Sequence, residues 1–203
     1  MNNTNPPRVT ISRTNAKTGG IPSFSLPPVV TCANCEGCAK KCYARRIAAR
    51  YPNVRESWAR NLEAWQTSPE AVRLNIMAAA LTSSYFRYFV GGDIPDPAFF
   101  ALMCDIARAV PSCHFLAFTK KYELVNAAIA EGETVPENLH IIFSEWKNNP
   151  PNPHGLPTSR VIFRGEETPE GAMVCGGSCF DCVCRGIGCW ALKSGETIHF
   201  YEH

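Results

Sequence analysis

From Tyr85 to Glu145 the chain alternates short apolar runs with amphipathic segments, and this alternation limits the fold more than any other feature. "YFRYFVGGD" reads as a strand, "DPAFFALMCDIARAV" as a helix capped by Asp96 with Pro97 in its first turn, and "HFLAFTK" as a second strand. "KYELVNAAIAEG" reads as a helix stopped by Gly132, and "NLHIIFSEW" as a third strand. Strands separated by helices pair in parallel through crossover connections, whereas strands joined by tight turns form antiparallel hairpins. Further short strands are expected in "RVIFR" and "TIHFYEH", and "IPSFSLPPVVTC" reads as a short strand or edge segment. A complete eight-fold barrel needs roughly 250 residues. This chain has 203, with about five or six recognisable strands. The expected fold class is therefore α/β: a partial, open parallel barrel or sheet with flanking helices and two cysteine-rich metal-binding loops.

Ahead of the alternating region, Ser68 and Pro69 open a helix through "EAVRLNIMAAAL", and "NVRESWARNLEAW" reads as another. In the latter Asn53 is the expected N-cap, and Val54, Trp58, Leu62 and Trp65 share one face. Residues 1–20 read as a flexible polar arm and 21–203 as a single domain. The N-terminus carries no apolar stretch of signal type, and no run of about 18 apolar residues occurs, so a cytoplasmic location without membrane contact is expected.

In a reducing compartment, clustered thiols read as metal ligands rather than disulfides. Nine of the eleven cysteines fall in two windows. The first, "TCANCEGCAKKCYARR", has the spacing Cys32-x2-Cys35-x2-Cys38-x3-Cys42, the bacterial ferredoxin run with Tyr43 in place of its proline. A 4Fe-4S cluster is the expected occupant and structural zinc the alternative metal, because zinc ribbons usually separate two cysteine pairs by a longer stretch. Three ligands would leave an iron open for chemistry, whereas four would suit electron transfer or structure. The second window, "CGGSCFDCVCRGIGC", offers Cys175, Cys179, Cys182 and Cys189, with Cys184 set aside because it stands only two residues from Cys182. One or two clusters are compatible with these spacings, and the two windows could also pool ligands into one site. Cys104 and Cys113 lie in apolar segments and read as core thiols.

Seven basic residues and one acid, Glu56, lie between Lys40 and Arg60, although the whole chain carries a formal charge of only +2. A solvated helix face competes here with two functional readings: balancing an anionic cluster, or receiving a phosphate-bearing ligand at Arg46 and Arg50. Each central strand also ends in polar residues: Gly91, Gly92 and Asp93 after the first, Thr119 and Lys120 after the second, Ser144 and Glu145 after the third. Parallel sheets place ligands at that C-terminal edge, and the two glycines would let a ligand approach the backbone.

With "SFSLPPVVTC", "CAKKCYARR", "YPNVRESWARNLEAW", "YFRYFVGGD", "FLAFTKK" and "CFDCVCRGIGCW" in this order, the chain resembles the bacteriophage gene-product-88-like family over nearly all of its length after about residue 20. The resemblance implies a phage origin and a cysteine-bound metal, and it implies no reaction. A looser likeness is to radical S-adenosylmethionine enzymes, in which a cysteine loop follows the first strand of a partial barrel and a glycine-rich acidic motif follows the second. Here the loop at Cys32 to Cys42 and "GGD" at 91–93 follow that order, but the family's Cys-x3-Cys-x2-Cys spacing would need a cysteine where Arg45 stands. That likeness makes S-adenosylmethionine a candidate ligand.

The function expected on these grounds is redox or radical chemistry on a small, phosphate-bearing substrate such as a nucleotide. The first cluster would be the reactive centre, and Asp93, Thr119, Lys120, Ser144 and Glu145 would line the pocket. The electron donor has no signature in the sequence. The alternative is a non-catalytic zinc or iron–sulfur module that binds nucleic acid.

Overall fold

The structure is a computed structural model that describes residues 8–13, 15–32, 36–145 and 149–202. Cys35 lies outside the described residues. Seven strands form one open sheet: β1 (Ser23–Phe24), β2 (Tyr85–Tyr88), β3 (His114–Thr119), β4 (Leu139–Ser144), β5 (Thr158–Ile162), β6 (Met173–Val174) and β7 (Thr197–Tyr201). Their spatial order is β1-β2-β3-β4-β5-β7-β6, and every neighbouring pair is parallel. β1 and β6 are the sheet edges, so of the two architectures expected, an open sheet is the one that forms.

The helices are α1 (Glu36–Ala39), α2 (Tyr43–Arg50), α3 (Pro52–Thr67), α4 (Pro69–Ala80), α5 (Pro97–Ala109), α6 (Tyr122–Ala130) and α7 (Cys179–Arg185). At α5 the expected cap forms: the Asp96 carboxylate accepts from the Phe99 amide at 2.8 Å, and its other oxygen accepts from Trp65 Nε1 at 2.6 Å. Helix α3 begins one residue before the expected cap. Tyr51 takes the N-cap position and Pro52 the first turn, because proline is pre-set for helical φ and has no amide to satisfy there.

Side chains alternate across the sheet with period two and build two cores. Phe86 and Tyr88 of β2, Phe115 and Ala117 of β3, and Ile141 and Phe143 of β4 face the layer of helices, where they meet Phe99, Met103, Val72 and Ile76. Leu116, Ile142 and Ile198 face the opposite side and pack against Cys179, Cys189, Trp190 and Leu192 of the C-terminal segment. A parallel sheet must be covered on both faces, and here the second cover is the second cysteine window.

The described part of the segment read as a polar arm is docked rather than free. The Thr10 amide donates to Asn61 Oδ1 at 2.7 Å, and Asn61 Nδ2 donates back to the Thr10 carbonyl and to the Ser25 carbonyl, both at 3.0 Å. Ser12 bridges Ser23 of β1 in antiparallel fashion, Val9 and Ile11 pack on the main core, and the Cys179 amide donates to the Lys17 carbonyl at 2.8 Å. The reason is a pattern that composition hides: polar groups of this segment satisfy a buried asparagine and an otherwise unpaired strand edge.

Candidate functional site

The C-terminal ends of the strands surround a cavity of about 300 Å³. Its wall contains Asp93, Thr119, Lys120, Ser144 and Glu145, all five strand-end residues singled out in the sequence, together with Gly91 and Gly92. Cys32, Cys38 and Cys42 line the same space, because the loop after β1 folds across the sheet edge. Thus one cavity brings the first cysteine window to the strand ends, a convergence that no spacing in the sequence required.

Asp93 is the hub of this edge. One carboxylate oxygen accepts from Thr119 Oγ1 at 2.6 Å and from the Ile94 amide at 2.8 Å, and the other accepts from the Lys120 amide at 2.9 Å. Its own amide donates to Thr31 Oγ1 at 3.0 Å, which ties β2 to the start of the cysteine loop. Burial pushes its pKa up, while the hydrogen bonds from Thr119, Lys120 and Ile94 oppose that shift. With so many contacts inside the protein, Asp93 positions Thr119 and the turn after β3 more than it offers itself to a ligand.

The glycines are explained by packing. A Cβ on Gly91 would stand 2.5 Å from the Trp58 ring, and one on Gly92, whose φ is +80°, would stand 2.5 Å from the Leu26 carbonyl oxygen. Packing against α3 and the segment after β1 therefore requires glycine at both positions, and both also border the cavity. Just before them, Phe89 holds a φ of 55°, rare for a bulky residue, and its ring is fixed in the core against Phe99 and Tyr88. This turn presents the Val90 carbonyl to the cavity, where the Tyr43 hydroxyl donates to it. Tyr43 stands along the wall with its ring partly exposed and its hydroxyl enclosed. That enclosure raises the phenol's pKa, the Arg87 guanidinium pulls it down, and Cys42, Cys32 and Cys179 each push it up.

Arg46 and Arg50 do not reach this site. Only Ala44 of α2 is buried, so the helix turns its arginines to solvent, and Arg50 lies over its neighbour Tyr51 at 5.5 Å. The cations that do line the cavity are Lys17, Lys41, Arg87, Lys120 and Arg160, against the acids Asp93, Glu145 and Glu202. Lys41 pairs with Glu202 at the end of β7 and lies 5.6 Å from the Phe163 ring centre, so the loop after β1 is fastened to the far side of the sheet. Arg87 is the residue most open to earlier detection: an arginine inside the apolar run "YFRYF" is a buried charge in waiting.

The second cysteine window lies outside the cavity wall, on the sheet face opposite the main helices. Cys179 and Cys189 are buried, Cys175 and Cys182 half-buried, and Cys184 exposed. Burial pushes the Cys189 thiol up to about 12; Arg87 opposes this, and Cys175, Cys179 and Cys182 add to it. The four thiols thus stand within one another's electrostatic reach. Among the described residues no three His, Cys, Asp or Glu side chains converge closely enough to hold a single metal ion. Cys104 and Cys113 are buried in the main core, as their apolar segments suggest.

Among the described residues no helix is long and apolar enough to cross a membrane. No curated protein and no solved structure matches the chain. A family model described as Gene product 88 matches residues 2–182, nine-tenths of the chain. The chain belongs to the Gene product 88 family.

Proposed function

We propose that this protein is an iron–sulfur enzyme whose first cysteine window carries the reactive cluster and whose cavity takes a small anionic, phosphate-bearing substrate such as a nucleotide. The observation that carries this reading is the convergence of Cys32, Cys38 and Cys42 with the polar ends of three successive parallel strands on one cavity. The residues suit an anionic cluster: three thiols share one loop beside Lys17, Lys41 and Arg87. Such a cluster, when bound, supplies one-electron transfer. The remaining work belongs to the chain. Lys17, Lys120 and Arg160 give the wall a positive excess that draws an anionic group, and Ser144 and Glu145 at the rim can take a hydroxyl or an amine. Lys41, held by Glu202 and Phe163, closes the β1 side of the space, and Asp93 fixes Thr119 in place. A cavity of about 300 Å³ admits a small molecule and excludes a folded macromolecule. Clustered thiols of this kind also fit the reducing cytoplasm of a host cell.

A second reading rests on a different surface. Lys40, Arg45, Arg46, Arg50 and Arg55 are all exposed outside the cavity, as a nucleic-acid-binding module would have them.

Anaerobically purified protein should contain iron and inorganic sulfide. A mononucleotide or S-adenosylmethionine should perturb the paramagnetic resonance signal of the reduced protein, and Cys38→Ser with Cys42→Ser should abolish the signal that responds. Zinc without sulfide would sink the enzyme reading. So would indifference to every small ligand combined with salt-dependent DNA binding that is lost in Arg46→Glu with Arg50→Glu.

A further inference from the structure

Arg87 projects from β2 on the face opposite the main helices, where only 7% of its surface reaches solvent. A guanidinium stays charged at any pH a protein survives, and a buried charge without a counter-charge is strongly destabilising. Among the described residues Arg87 has no carboxylate within ion-pair distance. Among the described residues its Nε finds no hydrogen-bond partner; its guanidinium carbon lies 5.1 Å from the Phe118 ring centre, and its Nη1 donates to Cys179 Sγ at 3.1 Å. Among the described residues the group in direct contact with the guanidinium that could carry a counter-charge is the Cys179 sulfur.

The surroundings of that sulfur are built to receive something. Cys175 follows directly on β6, and its sulfur accepts from the Gly177 amide at 3.5 Å, the sort of amide contact that steadies a thiolate. Cys179 opens α7, whose N-cap is Ser178. Gly188 has a φ of +74°, and a Cβ there would stand 3.0 Å from Cys182 Sγ, so the chain is bare beside that thiol. Cys189 follows at once and is buried against Trp190 and Leu192.

We propose that Cys175, Cys179, Cys182 and Cys189 hold a second iron–sulfur cluster, separate from the first window, and that Arg87 is its buried counter-charge and its link to the cavity. Four sulfurs around one zinc ion, each about 2.3 Å from it, would crowd to within about 4 Å of one another. A cubane binds each thiol through a different iron and so does not need the four to converge on one point; Cys179 and Cys189 lie in one buried cluster, with Cys175 and Cys182 packed against it. Arg87 is part of the cavity wall and its guanidinium touches Cys179, so charge placed on this cluster is felt where the substrate would lie. The inference stands on the second window alone and survives failure of the enzyme reading.

The test is metal analysis of anaerobically purified, folded protein. Wild type should hold about eight irons and eight sulfides per chain, about four of each per cluster. Cys38→Ser with Cys42→Ser should keep about half, Cys175→Ser with Cys182→Ser should lose the other half, and Cys184→Ser should change nothing. Arg87→Gln should lower the midpoint potential of one cluster, because a nearby positive charge favours the reduced form. Loss of all iron from each of the two cysteine pairs separately would show one pooled cluster and overturn the inference. Zinc without sulfide in the variant lacking Cys38 and Cys42 would overturn it too. Should a cysteine pair prevent folding, the wild-type count still decides, since four irons or fewer, in protein whose signal responds to Cys38→Ser alone, leaves no second cluster.

Discussion

The two cysteine windows share a composition and differ in almost everything that surrounds it. Cys32, Cys38 and Cys42 are half-buried, border a cavity and sit on a loop fastened by Lys41 to Glu202. Of the second set, Cys179 and Cys189 are buried under the sheet with Trp190, whose ring meets Tyr85 edge-on at 5.1 Å. Closely spaced thiols alone thus do not distinguish a reactive site from a structural one. Here one window faces a ligand-sized space while the other replaces a layer of core.

The largest difference should appear in stability. Cys179→Ala strands the Arg87 guanidinium in a buried setting and should cost about 3–5 kcal/mol. In metal-free protein, Cys38→Ala should open the loop after β1 to protease yet leave the unfolding free energy within about 1 kcal/mol of wild type. Denaturant titration under anaerobic conditions compares them, and equal losses would erase the distinction between the windows.

Asp93→Asn comes next. It puts an amide where the Lys120 or Ile94 N–H needs an acceptor, which should cost about 1–3 kcal/mol. Because burial raises the Asp93 pKa, the folded state holds that proton more tightly than the unfolded chain. Its contribution is fullest below the ordinary carboxylate pKa and declines as pH rises through the raised folded value. The gap between wild type and Asp93→Asn should therefore narrow with rising pH across that window, and a gap that widens there would contradict the burial argument.

Tyr43→Phe removes the hydroxyl that joins the first window to the Val90 carbonyl and should cost about 1 kcal/mol, with greater protease sensitivity between β1 and β2 but no change around Trp190. Trp190 fluorescence separates the two, provided the other tryptophans are replaced by phenylalanine. Smallest of all, Arg46→Glu with Arg50→Glu should shift stability by no more than about 0.5 kcal/mol and leave small-ligand affinity unchanged, because neither side chain reaches the cavity. A tenfold loss of nucleotide affinity in that variant would show that α2 does contribute to the site.

Much of the fold was legible because its signals are local. The strand and helix alternation from Tyr85 to Ser144, the Asp96 cap and the core positions of Cys104 and Cys113 each depend on a few adjacent residues. β6 and α7 are not legible in this way. A two-residue strand has no measurable period, and although Ser178 and Gly186 mark the ends of α7 by ordinary capping rules, the cysteines between them drew the reading toward a loop.

That the strands end in Asp93, Thr119, Lys120, Ser144 and Glu145 and that the thiols come in two groups is legible in the residues alone, because strand period and ligand spacing are properties of neighbouring residues. Packing sets the rest: the first group shares a cavity with those strand ends, Arg46 and Arg50 face away from it, and Arg87 turns to Cys179, 92 residues along the chain. The physical reason is that a buried charge can be recognised from its apolar neighbours, whereas the partner that neutralises it is set by which faces of the sheet and helices are brought together, and that is a property of the packed whole.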